Sequence, residues 1–517
     1  MPEKTLKKLN ERLLPEWKIC FFSALLVGLL AHLYKITSWL PNWDSLVFRY
    51  DAQNMVVIGR WFLPVACSLS SFYDLPFLNG LIAIVFHALS AVMICRILPV
   101  QQKTTAALIG AVVVSFPTVT SIMMYNYVAD GYSIAFFFSV LAARLLTKEN
   151  PRYLLASLLI ALSAGIYQAY ITVTILLLLL HLLDGLLFDK QPSPGRWFKK
   201  VGCLLLSGAA GIALYAVVLK ITLALFSVEL LDYQGINATT SLSNIDLLSS
   251  FYVVKETFVN SFFDLSNGVN VYIVLNAIIL IASLVYYLIC IVKNRIYKRP
   301  VVLALIVLLT ACLVIGAAIL AFVNPLVDYH NLMRMGYVSF YLLFLMIYER
   351  NVETTEKQLA FKRWAVLLTA LVLIGNQVVI ANVSYHKAQM AYEKSYGVLI
   401  RIADRIEQTP ESQTCQKIAV LGALDGSESY SVNLTPDITG ITDGYILRAD
   451  DETVKQSVFC SAINDYCGKN YRFVSGEEKE TLARMESVQA MQAWPSNGCV
   501  AVVDGTIVIK FGSEGDK

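Results

Sequence analysis

Eleven stretches of this chain are apolar over about the length a helix needs to cross a hydrocarbon core of roughly 30 Å, and placing them leaves little of the architecture free. They lie near residues 19–40, 77–95, 105–123, 131–146, 153–188 read as two, 201–222, 270–292, 301–323, 335–349 and 364–384. The stretch 153–188 is divided because one helix rising about 1.5 Å per residue would far overrun the bilayer; the break is expected at GIYQAY, residues 165–170. Composition agrees: of 517 residues 57% are hydrophobic and 15% charged, against about 25% charged in a soluble domain. The fold class expected is a polytopic α-helical membrane protein with about eleven transmembrane helices.

The basic residues orient those spans. Lys4, Lys7, Lys8 and Arg12 precede the first, and later clusters such as Arg144, Lys148 and Arg152, or Lys293, Arg295, Lys298 and Arg299, fall in every second loop. The alternate loops hold only Lys35, Arg49, Arg60, Lys255 and Arg334. Positive charge marks the cytoplasmic side, so the N-terminus is expected inside and the C-terminus outside. Because no small-residue cleavage site follows residues 19–34, that span reads as retained rather than as a signal peptide.

Near Ser384 the composition turns polar. Residues 385–517 read as an extracytoplasmic α/β domain and 1–384 as the membrane domain, with outer loops 41–76, 124–130, 228–269 and 324–334. In the tail KIAVLGAL (417–424) reads as a strand, and CVAVVDGTIVIKF (499–511) as two strands joined at Asp504-Gly505, a two-residue hairpin signal. Residues 391–408 carry apolar positions at helical spacing. Six cysteines lie in or beside spans, while Cys415, Cys460, Cys467 and Cys499 share the tail, where an oxidising compartment permits two disulfides. Three connectivities exist; Cys460 with Cys467 and Cys415 with Cys499 is the favoured one, since the latter two each open a strand. A zinc site is the rival, weakened by the lack of a C-x-x-C pair and by His386 being the only tail histidine.

The chemistry concentrates in the outer loops. Asp44, Asp51 and Arg60-Trp61 follow the first span; Tyr127 and Asp130 sit in YNYVAD, Tyr167 and Gln168 in GIYQAY, Lys220 near the end of the seventh span, and His330 and Arg334 in DYHNLMR. Ionisable groups at membrane depth or its edge are expensive and tend to be functional. An acid there can take a proton from an attacking hydroxyl, and a guanidinium forks onto phosphate oxygens. Each has a plainer reading: Asp51 as a solvated loop charge, Arg60-Trp61 as an interfacial anchor, Arg334 and Lys220 as snorkelling cations, His330 as a structural histidine. No P-loop, dinucleotide fingerprint or H-E-x-x-H is found.

Taken together, NWDSLVFRYD and GRWFLP after the first span, LPFLNGL entering the second, GIYQAY, and MQAWPSNGCVAVVDGTIVIKF near the C-terminus resemble the bacterial serotype-converting O-antigen glucosyltransferases of Gtr type, membrane enzymes of GT-C architecture. The resemblance implies transfer of a hexosyl group, often glucose, from a polyprenyl-phosphate sugar donor to a surface glycan acceptor, in the cytoplasmic membrane with the active site facing the periplasm. By that resemblance Asp44 stands for the acid of the first outer loop and Arg60 for the GRW arginine. Ser45 follows Asp44 where many relatives carry a second acid, which leaves Asp51 or Asp130 to supply it. Membrane lipid is an expected partner and nucleic acid is not; no cofactor is certain, and a divalent metal is left open. The alternative reading is a transporter or flippase of a lipid-linked sugar, which the scarcity of mid-span charges and of internal repeats disfavours.

Overall fold

A computed structural model of the chain describes residues 2–4, 13–48, 55–188, 194–231, 247–265, 268–325, 329–350, 355–423 and 455–512. It is a polytopic helical membrane protein carrying a small C-terminal sheet. The chain divides into two compact units, one built from the described residues up to 38 and from 55 to 383, the other from 39–48 and the described residues from 384 onward.

Along the chain the helices are α1 (Pro15–Thr37), α2 (Trp43–Val47), α3 (Leu63–Cys67), α4 (Pro76–Ile97), α5 (Lys103–Ser115), α6 (Pro117–Met124), α7 (Asn126–Leu146), α8 (Tyr153–Ile166), α9 (Ile171–Phe188), α10 (Pro194–Phe226), α11 (Leu247–Phe263), α12 (Val271–Lys293), α13 (Pro300–Ala317), α14 (Ile319–Val323), α15 (Val338–Glu349) and α16 (Glu356–Gln408). Among the described residues eight helices are long and apolar enough to cross a membrane, or nine if α5 and α6, bent by 41°, form one span. The apolar stretches of the sequence are largely helical, but α8 and the helix of 335–349 are shorter than those eight.

In the first unit neighbours pack in the order α5–α1–α4–α7–α8–α10, with α9 against α7 and α13, and α15 against α5 and α12. The division of 153–188 falls at Tyr167, whose backbone is extended between α8 and a 3-10 turn at Gln168–Tyr170. A broken helix inside a bundle frees backbone groups that need partners. Here Ser139 on α7 donates to Tyr170 O at 2.9 Å, and Ser163 donates to Ala135 O at 2.8 Å. The break is thus stitched to the adjoining helix by two buried hydroxyls.

The second unit is an α/β layer. Strand β1 (Lys417–Leu421) lies parallel to both β2 (Arg472–Phe473) and β4 (Thr506–Lys510), and β3 (Val500–Val503) closes the order β2-β1-β4-β3 antiparallel to β4. The β3–β4 hairpin turns at Asp504 and Gly505, both left-handed (φ 47° and 67°), as its sequence demands. Leu399, Ile402 and Ile406 from the end of α16 bury against Ile418, Val420, Ile507 and Ile509, together with Phe459 and Ile463. The short helix α2 belongs here too: Leu46 packs on this core, and α2 meets the π-helical turn Lys455–Cys460.

The expected disulfides are corrected. All four tail cysteines are free thiols. Cys460 and Cys467 stand seven residues apart on one helical run, Lys455–Cys460 continuing into α17 (Ser461–Cys467). At about 1.5 Å per residue that is about 10 Å, beyond the roughly 7 Å a disulfide can bridge. Cys415 and Cys499 precede β1 and β3, but β4 lies between those strands. The register sets Lys417 beside Thr506 and Val500 beside Ile509, so the two thiols also flank opposite ends of β4.

Candidate active site

Within the first unit, two segments far apart in sequence interlock. The first is the GRW turn after a 3-10 helix at Val56–Ile58; the second is the break after α8. Phe62 N donates to Gly165 O at 2.7 Å, and the Trp61 indole lies so close over Gly165 that a Cβ there would meet the ring at 2.6 Å. Gln168 Nε2 donates to Ile58 O at 3.1 Å and to Tyr215 Oη at 3.0 Å, and Tyr215 Oη donates to Gly59 O at 3.1 Å. Helix α10 thereby joins the same knot.

Arg60 sits on an aromatic platform. Its Nη1 donates to Tyr132 Oη at 2.8 Å, and its guanidinium lies 4.7 Å from the Tyr167 ring centre and 5.8 Å from that of Tyr132. Tyr132 and Tyr167 are stacked, with centroids 4.6 Å apart and planes at 10°. Tyr170 packs edge-on to both, at 6.4 and 5.8 Å. A cation over a partly desolvated ring gains about 1–2 kcal/mol, so the platform helps hold the guanidinium in place.

Arg334 is fixed from the other side of the sequence. Its Nε and Nη2 both donate to Tyr329 O, at 3.1 and 2.7 Å, and Tyr329 Oη donates to Ala317 O at 2.7 Å. Asn331 in the same turn accepts from Thr118 and Ser121 on α6. Tyr329 lies within electrostatic range of both Arg334 and Tyr167. The Arg334 turn therefore adjoins the aromatic platform beneath Arg60. His330 is half-buried in that turn.

Asp130 lies on α7 two residues before Tyr132 and is fully buried. Ser70, Cys67 and the Gly131 amide surround it, yet neither carboxylate oxygen completes a hydrogen bond of ordinary geometry. The Trp61 Nε1 and the Tyr170 hydroxyl are likewise buried without a partner. Buried polar atoms are nearly always paired, and three such groups around one loop mark a place built for more than packing.

The structure therefore brings together Arg60, Trp61, Tyr167 and Gln168, with Asp130 and Arg334 at their margins. Tyr127 is buried near Tyr125, ring centres 6.4 Å apart. Lys220 is not drawn in: it is exposed on α10, and Tyr215 is the residue of that helix that reaches the loop. Asp44 belongs to the second unit, half-buried in the first turn of α2, where Asn42 Oδ1 accepts from Ser45 N at 2.8 Å. Asp51 lies outside the described residues. Among the described residues no three of His, Cys, Asp and Glu gather as a metal set. Sequence reasoning missed Tyr132 and Tyr215. The signal for the second was available, since Tyr215 is the lone tyrosine of a long apolar helix.

A family model described as glucosyl transferase GtrII matches residues 33–348, which takes in the GRW loop, the helix break and the Arg334 turn. The chain belongs to this family. No curated protein and no solved structure matches it. As a GtrII glucosyl transferase it is a glycosyltransferase, acting on a sugar donor and a glycan acceptor, and the transporter reading is not favoured. Every residue of the Arg60 platform, from Ile58 to Tyr215, falls inside the matched span.

Proposed function

We propose that this GtrII glycosyltransferase, of GT-C architecture, moves a hexosyl group, glucose by its family's name, from a polyprenyl-phosphate donor to a surface polysaccharide such as O-antigen. The reaction takes place at the outer face of the bacterial cytoplasmic membrane, with eleven spans, the N-terminus inside and the tail outside. The observation that carries this reading is the Arg60 guanidinium laid on the Tyr132–Tyr167 stack at the mouth of a broken helix. A fork of N–H donors suits phosphate oxygens, and the buried Tyr132–Tyr167 stack against it keeps that fork in place.

In the proposed inverting displacement Asp44 takes the proton from the acceptor hydroxyl as its oxygen bonds to the sugar C1. The bond from C1 to the phosphate oxygen breaks, and its electron pair stays with the departing polyprenyl phosphate. That anion needs no proton, only positive charge, which Arg60 and Arg334 supply. Trp61, Tyr127, Tyr167 and Gln168 contact the sugar in this reading, and Asp130 or Asp51 supplies the second carboxylate.

Transfer of radiolabelled hexose from synthetic polyprenyl-phosphate hexose to envelope glycan tests the reading. Membranes holding the wild-type protein are expected to incorporate label, and Asp44→Asn of equal expression is expected to incorporate none. Full activity in Asp44→Asn removes that residue from the role of base. Failure of folded wild type with glucose and other hexose donors overturns the donor class.

A further inference from the structure

Basic side chains from five helices, five of them cations and one the neutral imidazole of His181, converge at the end of the first unit remote from Arg60. Arg96 closes α4, Arg144 closes α7, Lys148 and Arg152 stand in the turn to α8, His181 lies near the end of α9, and Lys200 in the second turn of α10. Arg144 is twelve residues beyond Tyr132 on one helix, about 18 Å along its axis. Lys148 lies within electrostatic reach of Arg96, Arg144 and Arg152. Arg144 is also in reach of Arg96, and His181 of both Lys200 and Arg144.

Little offsets this crowding. Arg96 stacks over Trp17 at 4.4 Å, and Lys200 Nζ donates to His181 Nε2 at 2.9 Å while the other ring nitrogen faces Ile97 O at 3.4 Å. Among the described residues none of the five cations pairs with a carboxylate. Glu349 comes to this end of the bundle, but its carboxylate accepts from the Gln101 and Gln102 amides, and Glu149 is exposed. The Nε–H groups of Arg96 and Arg144 are buried with no hydrogen-bond acceptor. Burial and the three neighbouring guanidiniums together lower the Lys148 pKa.

Membrane topology asks only that basic residues lie on one side; it does not ask them to crowd into mutual repulsion with buried donors unpaired. A polyanionic acceptor resolves both faults at once, and phosphate oxygens match guanidinium forks. The surroundings are apolar: Leu154 and Leu158 on α8 and Leu205 and Leu206 on α10 are all exposed. Basic pockets between helices that open onto hydrocarbon-facing surface suit lipid headgroups.

We propose that Arg96, Arg144, Lys148, Arg152 and Lys200 form a phosphate-binding site, filled by the headgroup of an anionic phospholipid or by free phosphate. The site is separate from the Arg60 platform, and the proposal does not rest on the transfer reaction.

The test uses the full chain, purified and placed in phosphatidylcholine nanodiscs containing a minor fraction of phosphatidylglycerol. Native mass spectrometry then counts each lipid retained per protein. Wild type is expected to retain phosphatidylglycerol in excess over its share, and Arg96→Gln/Arg144→Gln/Lys148→Gln to retain at least about fivefold less. A control neutralising as many cations elsewhere, Arg295→Gln/Lys298→Gln/Lys357→Gln, is expected to match wild type. Should the first variant misfold, Lys148→Gln/Arg152→Gln, confined to one turn, replaces it. Displacement of the lipid by millimolar inorganic phosphate identifies phosphate alone as the ligand; resistance to it identifies the lipid. Equal retention by wild type and a folded site variant, or equal loss in the control, overturns the proposal.

Discussion

The sharpest demand on any single side chain falls on Arg60. It holds one hydroxyl with Nη1 while its guanidinium carbon sits 4.7 Å from one ring centre, and a lysine ammonium, a point charge on a flexible stem, does not reproduce both contacts. Arg60→Lys is therefore expected to lower kcat/KM for hexose transfer by about tenfold or more, since a hydrogen bond to a charged group is worth about 1.5–3 kcal/mol. An unchanged kcat/KM would remove Arg60 from phosphate binding. Gly165 carries a steric demand instead. A methyl placed 2.6 Å from the Trp61 ring forces the indole aside, and such overpacking costs about 1–3 kcal/mol. Gly165→Ala is expected to lower the thermal midpoint in detergent and to reduce transfer with it. A midpoint and activity equal to wild type would mean that Trp61 moves freely, contrary to a fixed GRW loop.

The helices show what a local pattern conveys and what it omits. Length alone forces the division of 153–188, and the GIYQAY run locates it, because a span cannot exceed the bilayer and the polar Gln168 is poorly placed inside a continuous apolar helix. The partners of that break were not legible. Ser139, Tyr132 and Tyr215 come from α7 and α10, and no spacing within either helix says which distant segment it will meet. The same holds for the pair that ties the last turn of α9 to the residue after α15. Arg350 Nε donates to Asp184 Oδ1 at 2.9 Å and Nη2 to Oδ2, while Tyr286 Oη donates to Arg350 O at 2.8 Å. In sequence Arg350 reads as one more topology charge. Both side chains are mostly buried, so Arg350→Met strands a carboxylate and is expected to cost about 3 kcal/mol, whereas Asp184→Leu/Arg350→Met recovers much of it. Thermal unfolding of the two variants in one detergent separates the cases, and equal loss in both would show that the ion pair itself, rather than the stranded charge, sets the cost.

At the scale of the whole molecule, the change in composition near Ser384 and the Asp504-Gly505 turn announced a separate α/β unit, because hydropathy and turn chemistry are local properties. Two things about that unit were hidden. One is that α2, carrying Asp44, is built into it through Leu46, a long-range packing choice. The other is strand order: with β4 inserted between β1 and β3, Cys415 and Cys499 cannot be neighbours, and the oxidising compartment that invites disulfides does not supply the geometry. The expected state is four free thiols with two grades of reactivity. Cys460 is buried, accepts from the Asn464 amide and has its pKa pushed up to about 11 by burial. Only about one such thiol in a thousand is ionised at pH 8; burial raises the Cys415 and Cys467 thiols as well, so access is what sets them apart. Cys499 is wholly buried with its sulfur accepting from Arg405 Nη1 at 2.9 Å, while Cys415 and Cys467 are half-buried. Iodoacetamide at pH 8 is accordingly expected to label Cys415 and Cys467 in the native full chain without reductant, and Cys460 and Cys499 only after denaturation. Peptide mapping without reduction that finds Cys460 joined to Cys467 would contradict the continuous helical run, and a Cys415–Cys499 link would contradict the sheet order on which the whole second unit is built.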